Sequence, residues 1–348
     1  MPFGVSVTIC CYNSARRLGA TLAHLAAQVV SDSIPWEVLI IDNNSNDGTG
    51  DYAKELWAKN GRAPLRVILE PRIGLAHARE RGFEDAKHEI VSFVDDDNWV
   101  SAEWVSLVSE VMESDRAIGA CGGLCEAVFE TPPPLWFSRF QGSYAVGGVT
   151  ATASDVTWTR GFLFGAGLSI RKQAWMELRQ AGFLPGLSDR KGNALASGGD
   201  TEICRALRLA NWKLRYDPRL CLKHFMPSAR LDWNYLRRLR RALGASTVGL
   251  DAYTFATRRN RWGVSKLILG NWVFQTVMTL KELASCGAAA IYPSKRGLEG
   301  NEKALQAEFL LGRLNALLES RADYGRRAQK ICQAPWRKVQ CAPFAQAS

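Results

Sequence analysis

The chain lacks a CxxC pair, a cysteine-dense stretch and an even cysteine count. Its nine cysteines (Cys10, Cys11, Cys121, Cys125, Cys204, Cys221, Cys286, Cys332 and Cys341) are scattered. That excludes a disulfide-built scaffold and fits reduced thiols in a cytosolic compartment. No apolar run reaches the roughly 18 residues of a conventional spanning helix. The opening MPFGVSVTICCYNS has no basic segment ahead of an apolar core, so no signal peptide is expected. Internal repeats, low-complexity tracts and recognised nucleic-acid-binding motifs are missing as well, and no nucleic acid partner is expected.

What is present is an ordinary globular composition, 47% hydrophobic and 22% charged over 348 residues, enough for one large domain and an appendage. Charge is divided unevenly. Residues 1–229 hold 24 Lys and Arg against 26 Asp and Glu, a net −2; residues 230–348 hold 20 against 8, a net +12. The whole basic excess of the chain therefore lies in its last third, where it seeks an anionic partner.

The first 125 or so residues alternate short apolar runs with amphipathic stretches. Strands are expected at Val5–Cys11, Trp36–Asp42, Leu65–Leu69 and Ile90–Val94, and helices at Ser14–Gln28, Gly50–Lys59, Gly74–Ala86 and Ser101–Glu113. Ser101 is the expected cap of the last, with Glu103 in its first turn. Such alternation predicts right-handed βαβ units and an α/β fold with a mostly parallel sheet flanked by helices. Further on, Ala117–Phe129 reads as one or two strands and Thr131–Arg160 as a long loop over a site. Gly161–Ile170 reads as a strand, Lys172–Ala181 and Thr201–Ala210 as helices, and Trp212–Tyr216 and Arg219–His224 as two strands.

Ligands bind beyond the carboxyl ends of strands in an open parallel sheet. Three polar clusters stand there: Tyr12-Asn13, the loop from Asp42 to Thr49, and Asp95-Asp96-Asp97-Asn98. In an extended segment Asp95 and Asp97 point the same way, and like charges that close call for a cation. A divalent ion with oxygen ligands is the natural one; a solvated acidic turn is the bland alternative. Small residues at Gly161–Gly167, Gly165 and Gly167 among them, allow either a close approach to a ligand or tight strand packing.

The ordered set VSVTICCYN, WEVLIIDNNSNDGT, EPRIGLAHARERG, IVSFVDDDNW, GFLFGAGLSIRKQAW, SGGDTEICRALRLANWKLRYDP and LKHFMP resembles family 2 glycosyltransferases of the GT-A fold over roughly residues 4–228. The resemblance implies an inverting transfer of sugar from a nucleoside diphosphate, UDP in the first instance, to a hydroxyl acceptor, with Mg²⁺ or Mn²⁺ as cofactor. It implies that Tyr12, Asn13 and Asp42 hold the base and ribose, with Ser45 and Asp47 in the same loop, and that Arg79 faces the nucleotide. Asp95, Asp96 and Asp97 fall on the acidic metal motif, with Asp97 the direct metal ligand and Asp95 nearer the ribose or diphosphate. His224 matches a position that approaches the metal or the diphosphate. Asp200 is the catalytic base, although it also suits a helix cap. Where the family usually has Gly-Glu-Asp, this chain reads Gly198-Gly199-Asp200, which removes the acceptor contact a carboxylate at Gly199 would make. Gly165, Gly167 and Glu202 are expected on the acceptor side. The Gln-x-x-Arg-Trp pattern of processive synthases is missing, so single-sugar addition is expected.

The organisation expected is a catalytic domain over 1–229, its nucleotide-sugar half at 1–130 and acceptor half at 131–229, followed by a basic helical region over 230–348. In that region Arg237, Arg238, Arg240 and Arg241 lie near Trp233 and Tyr235, and Arg258, Arg259 and Arg261 precede Trp262. The run Leu267–Leu280 is uncharged and largely apolar. Cationic residues beside Trp and Leu suit an anionic lipid surface. This predicts peripheral association with the cytoplasmic face of a membrane and a lipid-linked acceptor; a buried helix with solvated basic residues is the alternative. Two other functions compete with this reading. A metal-dependent nucleotidyltransferase would want a Gly-rich basic loop where Cys11-Tyr12-Asn13-Ser14 stands, and an inactive nucleotide-sugar-binding protein has no need of Asp97 and Asp200.

Overall fold

Burial at all seven positions but Cys10, with Val5, Val7, Ile9 and Cys11 on one face and Ser6 and Thr8 on the other, makes Val5–Cys11 (β1) a strand covered on both faces. It pairs in parallel with Trp36–Asp42 (β2) on one side and Ile90–Phe93 (β4) on the other, and β2 pairs in parallel with Leu65–Leu69 (β3). Helices Leu18–Ala26 (α1), Thr49–Asn60 (α2) and Leu75–Asp85 (α3) connect these strands. The computed structural model describes residues 3–187, 195, 198–257, 270–287 and 297–338.

Beyond β4 the sheet becomes mixed. The short Asn98–Val100 (β5) leads to helix Trp104–Ser114 (α4) and the long Ile118–Phe129 (β6). A four-residue helix Phe137–Phe140 (α5), a 3-10 turn Gln141–Tyr144 and Ser154–Asp155 (β7) occupy the expected long loop. Ser169–Arg171 (β8), helix Lys172–Gln180 (α6), helix Gly199–Leu209 (α7) and Lys213–Met226 (β9) follow. Strand order is β3-β2-β1-β4-β8-β6-β9-β5, with β7 on β9. Strand β8 is antiparallel to β4 and β6, β9 is parallel to β6, and β5 and β7 are antiparallel to β9.

Four expectations are corrected here. The two strands expected at 212–216 and 219–224 are one continuous strand, β9, which follows β6 across a register shift between Gly122 and Leu124. Only glycine fits at 123, where a Cβ would lie 1.9 Å from the Leu220 carbonyl oxygen. The strand expected at 161–170 is confined to Ser169–Arg171, because Gly161 and Gly167 adopt φ of +74° and +73°. Ser101 does not cap α4: its hydroxyl oxygen is buried with no hydrogen-bond partner among the described residues, and the helix begins at Trp104. Nor does Asp200 cap α7, whose cap position is Gly198 at φ +116°; Asp200 lies in the first turn.

Trp233–Thr257 (α8) is a 25-residue helix, joined by Trp272–Ser285 (α9), Glu302–Glu319 (α10) and Tyr324–Cys332 (α11). Leu236 and Leu239 of α8 and Leu305 of α10 belong to the same apolar cluster as Val5, Ile9 and Leu18. Tyr253, Ala256 and Trp336 join a second with Phe83, Trp175 and Phe183. Helices α8 and α10 cross at glycines: a Cβ on Gly244 would meet the Phe309 carbonyl oxygen at 1.8 Å, and one on Gly312 the Arg241 carbonyl oxygen at 1.9 Å.

Two of the four arginines expected as a cationic face on α8 are matched within the protein. Arg237 and Arg241 both pair with the buried Glu308, at 2.5 and 2.6 Å. Arg240 lines the cleft described below, and Arg238 remains exposed, over the Tyr235 ring. Arg258, Arg259, Arg261, Trp262 and the first residues of the run Leu267–Leu280 lie outside the described residues. The rest of that run belongs to α9, which leaves Val273, Val277, Met278 and Leu280 exposed. No described helix is long and apolar enough to cross a membrane.

Candidate active site

A cleft of about 870 Å³ opens at the carboxyl ends of β1, β2 and β4. Tyr12 and Asn13 line it, where Asn13 turns the chain out of β1 at φ +51°. The loop after β2 braces them. Asn13 donates its N–H to Ser45 Oγ at 3.0 Å, and its Oδ1 accepts the Asn46 N–H at 2.9 Å. Asp42 Oδ1 accepts the Ser45 N–H at 2.9 Å, and Asp47 accepts from Ala15 and Thr49. Asp42, Ser45 and Asp47 thus hold the loop, and the residue of that loop that reaches the cleft is Asn43. Its side chain bonds the Glu70 and Arg72 carbonyls and the Gly74 N–H, which ties the β2 end to the turn before α3.

The three aspartates all line the cleft but diverge, because residues 96 and 97 form a turn instead of an extended run. Asp96 pairs with Arg17 at 2.6 Å; burial and the neighbouring Asp97 push its carboxyl up from the ordinary value. Asp97 is 4% exposed and faces β9, 3.5 Å from His224 Nε2 and 3.1 Å from Arg230. Arg230 also contacts His224 Nε2 at 3.1 Å. Strand β9 brings His224 opposite Asn98 of β5, so the antiparallel register places the pair.

Asp200 reaches the same cleft from α7, and Arg79 from α3. Gly165 lies directly against both: a Cβ there would be 2.9 Å from Asp200 Oδ2 and 3.3 Å from an Arg79 nitrogen. Of the other residues expected on the acceptor side, three stand outside the lining. Gly167 packs on Trp104 and Leu222, and Gly199 is the buried first residue of α7. Glu202 is buried and accepts from the Gly186 and Leu187 N–H groups and from the Tyr253 hydroxyl at 2.8 Å. It fastens α7 to α8 and to the 186–187 segment.

Sequence reasoning missed six cleft residues that the long-range fold supplies: Arg17, Arg160, Arg205, Arg230, Tyr235 and Arg240. Arg230 follows His224 by six residues, just past the last motif, and Arg17 follows Tyr12 by five; these were the local signals available. Burial pulls the guanidinium pKa of both Arg160 and Arg205 down, yet an arginine stays charged.

The acidic end suits a divalent ion. Carboxylate oxygen and imidazole nitrogen are donors Mg²⁺ or Mn²⁺ accepts. The 3.5 Å between Asp97 Oδ1 and His224 Nε2 is close to the roughly 3.0–3.5 Å between two ligands each about 2.1 Å from one ion. A cation, Arg230, already rests against both. No group of three or more acidic, histidine or cysteine side chains encloses a point among the described residues. Asp97 and His224 would therefore supply part of a shell that phosphate oxygens and water complete, the usual state of Mg²⁺.

A parallel half-sheet with polar loops at its strand ends, joined to a mixed half that delivers a carboxylate and an imidazole to the same cleft, defines the GT-A type of sugar transferase. Residues 6–174 match glycosyl transferase family 2. Over that stretch, just under half of the chain, it is similar to family 2 glycosyl transferases. It is similar to a cholesterol galactosyltransferase of Borreliella burgdorferi, 27% identical over 34% of this chain and 32% of that protein. It is also similar to an undecaprenyl-phosphate 4-deoxy-4-formamido-L-arabinose transferase of Aeromonas hydrophila, 34% identical over 33% of this chain and 36% of that one. These matches span about a third of the relatives' length. Among solved structures, the fold is that of a Pyrobaculum calidifontis mannosyltransferase in complex with GDP-Man and Mn²⁺, with TM-score 0.58 and 17% identity over 92% of this chain and 88% of that one.

Proposed function

We propose that the chain transfers one sugar, with inversion, from a nucleoside diphosphate, UDP in the first instance, to a hydroxyl on a lipid-linked acceptor. The observation that carries this reading is the convergence of Asp97 and Asp200 on one cleft from sequence positions about a hundred residues apart. Tyr12 and Asn13 hold the base and ribose, with Asp42, Ser45 and Asp47 keeping their loop in shape. Arg79, Asp95 and Asp96 face the nucleotide sugar. A divalent ion on Asp97 and His224 supplies charge stabilisation for the departing diphosphate. Asp200 takes the proton of the acceptor hydroxyl; attack from its side, opposite the diphosphate, inverts the anomeric carbon. Gly165 leaves Asp200 room to do so. The relatives' names support the acceptor class, since one acts on cholesterol and another on undecaprenyl phosphate. A screen of nucleotide sugars that follows nucleoside diphosphate release with and without Mn²⁺ tests the reading; no release from any donor sinks it.

Residues 1–229 are the catalytic domain in this reading, and 230–348 both wall the cleft and dock on the cytoplasmic face of a membrane. Support for docking is the +12 charge of 230–348 and the exposed Val273, Val277 and Leu280 at helical spacing on α9. Truncation near 229 is a poor test, because Leu236 and Leu239 complete the core. Flotation of the full chain with liposomes containing an anionic lipid is the better one. Val273→Asp with Val277→Asp should lower the floating fraction several-fold; equal flotation removes α9 from the docking surface.

A further inference from the structure

We infer that Arg230 and Tyr144 are positioning residues for His224: the Arg230 guanidinium fixes the imidazole tautomer whose Nε2 keeps its lone pair beside Asp97, and the Tyr144 hydroxyl fixes Arg230. The arrangement stands on its own geometry; its use in catalysis rests on the transferase reading above.

His224 is 7% exposed, and its two ring nitrogens meet different surroundings. Nδ1 is buried with no hydrogen-bond partner among the described residues. Nε2 lies 3.1 Å from an Arg230 nitrogen and 3.5 Å from Asp97 Oδ1. Those two neighbours ask for opposite tautomers. An ionised Asp97 can only accept, so a bond to it needs a proton on Nε2. Arg230 can only donate, so a bond to it needs a lone pair there. The distances decide, because 3.1 Å is a hydrogen bond and 3.5 Å is at most a poor one. The same guanidinium pairs with Asp97 Oδ2 at 3.1 Å. Both groups therefore face one cation with their lone pairs, and the ring proton is left on Nδ1.

Metal-binding imidazoles are ordinarily held from their far nitrogen, which donates to a carboxylate, a carbonyl or water. Nδ1 of His224 has no such partner among the described residues. Without Arg230 the better-satisfied tautomer would donate Nε2–H to Asp97, and the two ion ligands of the proposed reaction would be spent on each other. Arg230 prevents that exchange.

Arg230 is itself held. It closes a 3-10 turn, Ser228–Arg230, whose start is pinned by the Ser228 N–H on Glu130 at 2.7 Å. Tyr144 Oη donates to the Arg230 carbonyl at 3.0 Å. The Tyr144 ring packs on Phe137 and Tyr235, with centroids 5.0 and 6.1 Å away. Burial, with Tyr235 and Asp232 nearby, pushes the Tyr144 phenol up from its ordinary value, so the hydroxyl stays a donor. An arginine side chain has many rotamers, and a fixed carbonyl restricts where its guanidinium reaches.

The test uses the full chain. Its four histidines give few imidazole ¹⁵N signals, and His224→Asn identifies those of residue 224. At about pH 8, above the ordinary imidazole pKa, His224 Nε2 should give a lone-pair signal and Nδ1 a protonated one. Arg230→Met should move the proton to Nε2. Tyr144→Phe, which keeps the ring and loses the hydroxyl, should shift the tautomer ratio ~3- to 10-fold the same way, the worth of one hydrogen bond. In calorimetry with UDP and Mn²⁺, affinity should fall at least ~10-fold in Arg230→Met and ~3- to 10-fold in Tyr144→Phe. The double variant should stay within about twofold of Arg230→Met. A parent chain with the proton on Nε2 overturns the inference, and so does a His224 signal that neither variant changes. Losses that multiply in the double variant overturn the path from Tyr144 through Arg230. Expected spectra from a chain that neither binds UDP nor releases it from any donor uphold the tautomer and break the transferase reading instead.

Discussion

The two halves of the sheet place their functional groups in different ways. In the parallel half, β3-β2-β1-β4, each polar cluster follows its own strand within a few residues, so Tyr12-Asn13 follows β1, the Asp42 loop follows β2 and Asp95–Asp97 follow β4. In the mixed half the cleft receives Asp200 from the start of a helix, His224 from near the end of β9 and Arg240 from α8. Local order places the first set and long-range register the second. The first set is therefore written as contiguous motifs, and the second is assembled.

That division explains how far the sequence could be read. The strands Val5–Cys11, Trp36–Asp42 and Leu65–Leu69 are where the apolar runs put them; the first two are buried on both faces and have little other choice. In the mixed half, local patterns misled. Asp217-Pro218 is the interruption that suggested two strands, yet Asp217 pairs with Arg219 at 2.8 Å, Arg219 also reaches Glu110, and β9 runs through both residues. The arginines of α8 read as a surface stripe because Glu308, their partner, is more than sixty residues away. Glu202 read as an acceptor contact, and its partner Tyr253 lies fifty-one residues downstream. None of these partners has a spacing rule.

The largest expected effect joins the two halves through the reaction. Asp97→Ala, from the parallel half, and Asp200→Asn, from the mixed half, should each lower turnover by at least ~100-fold, the scale of a lost acid–base group or metal ligand. In the proposed reaction both carboxylates act in one step, so the double variant should lose far less than the product of the two losses. Steady-state rates of the two single variants and the double variant decide it. Near-normal transfer by Asp200→Asn removes it from the base position.

Gly165→Ala separates geometry from stability at the seam. The added methyl would lie 2.9 Å from Asp200 Oδ2, and a carboxylate on a rotatable side chain can move aside. Stability should change by about 1 kcal/mol or less, while kcat falls ~10-fold or more through the displaced base. A thermal melt beside a rate measurement checks both numbers. A variant with unchanged kcat would show that Asp200 has no fixed position to lose.

The smallest effect concerns the parallel half alone and its dependence on pH. Glu37, 1% exposed on β2, would have its carboxyl raised by burial. Hydrogen bonds from Arg66, from the Lys87 N–H and from Ser6 more than offset this and leave it below the ordinary value. A carboxylate whose pKa is depressed by folding stabilises the fold above its unfolded pKa of about 4.3. That contribution is lost as pH falls through the lower folded value. Glu37→Gln should therefore destabilise the chain by about 1–3 kcal/mol at pH 7, and the difference from the parent should shrink progressively below about pH 4. Urea titrations at pH 7, 5 and 3.5 measure the gap. A gap that stays constant over that range would mean the carboxylate's charge contributes nothing to holding β2 against the Arg66 and Lys87 segments, and that only its shape does.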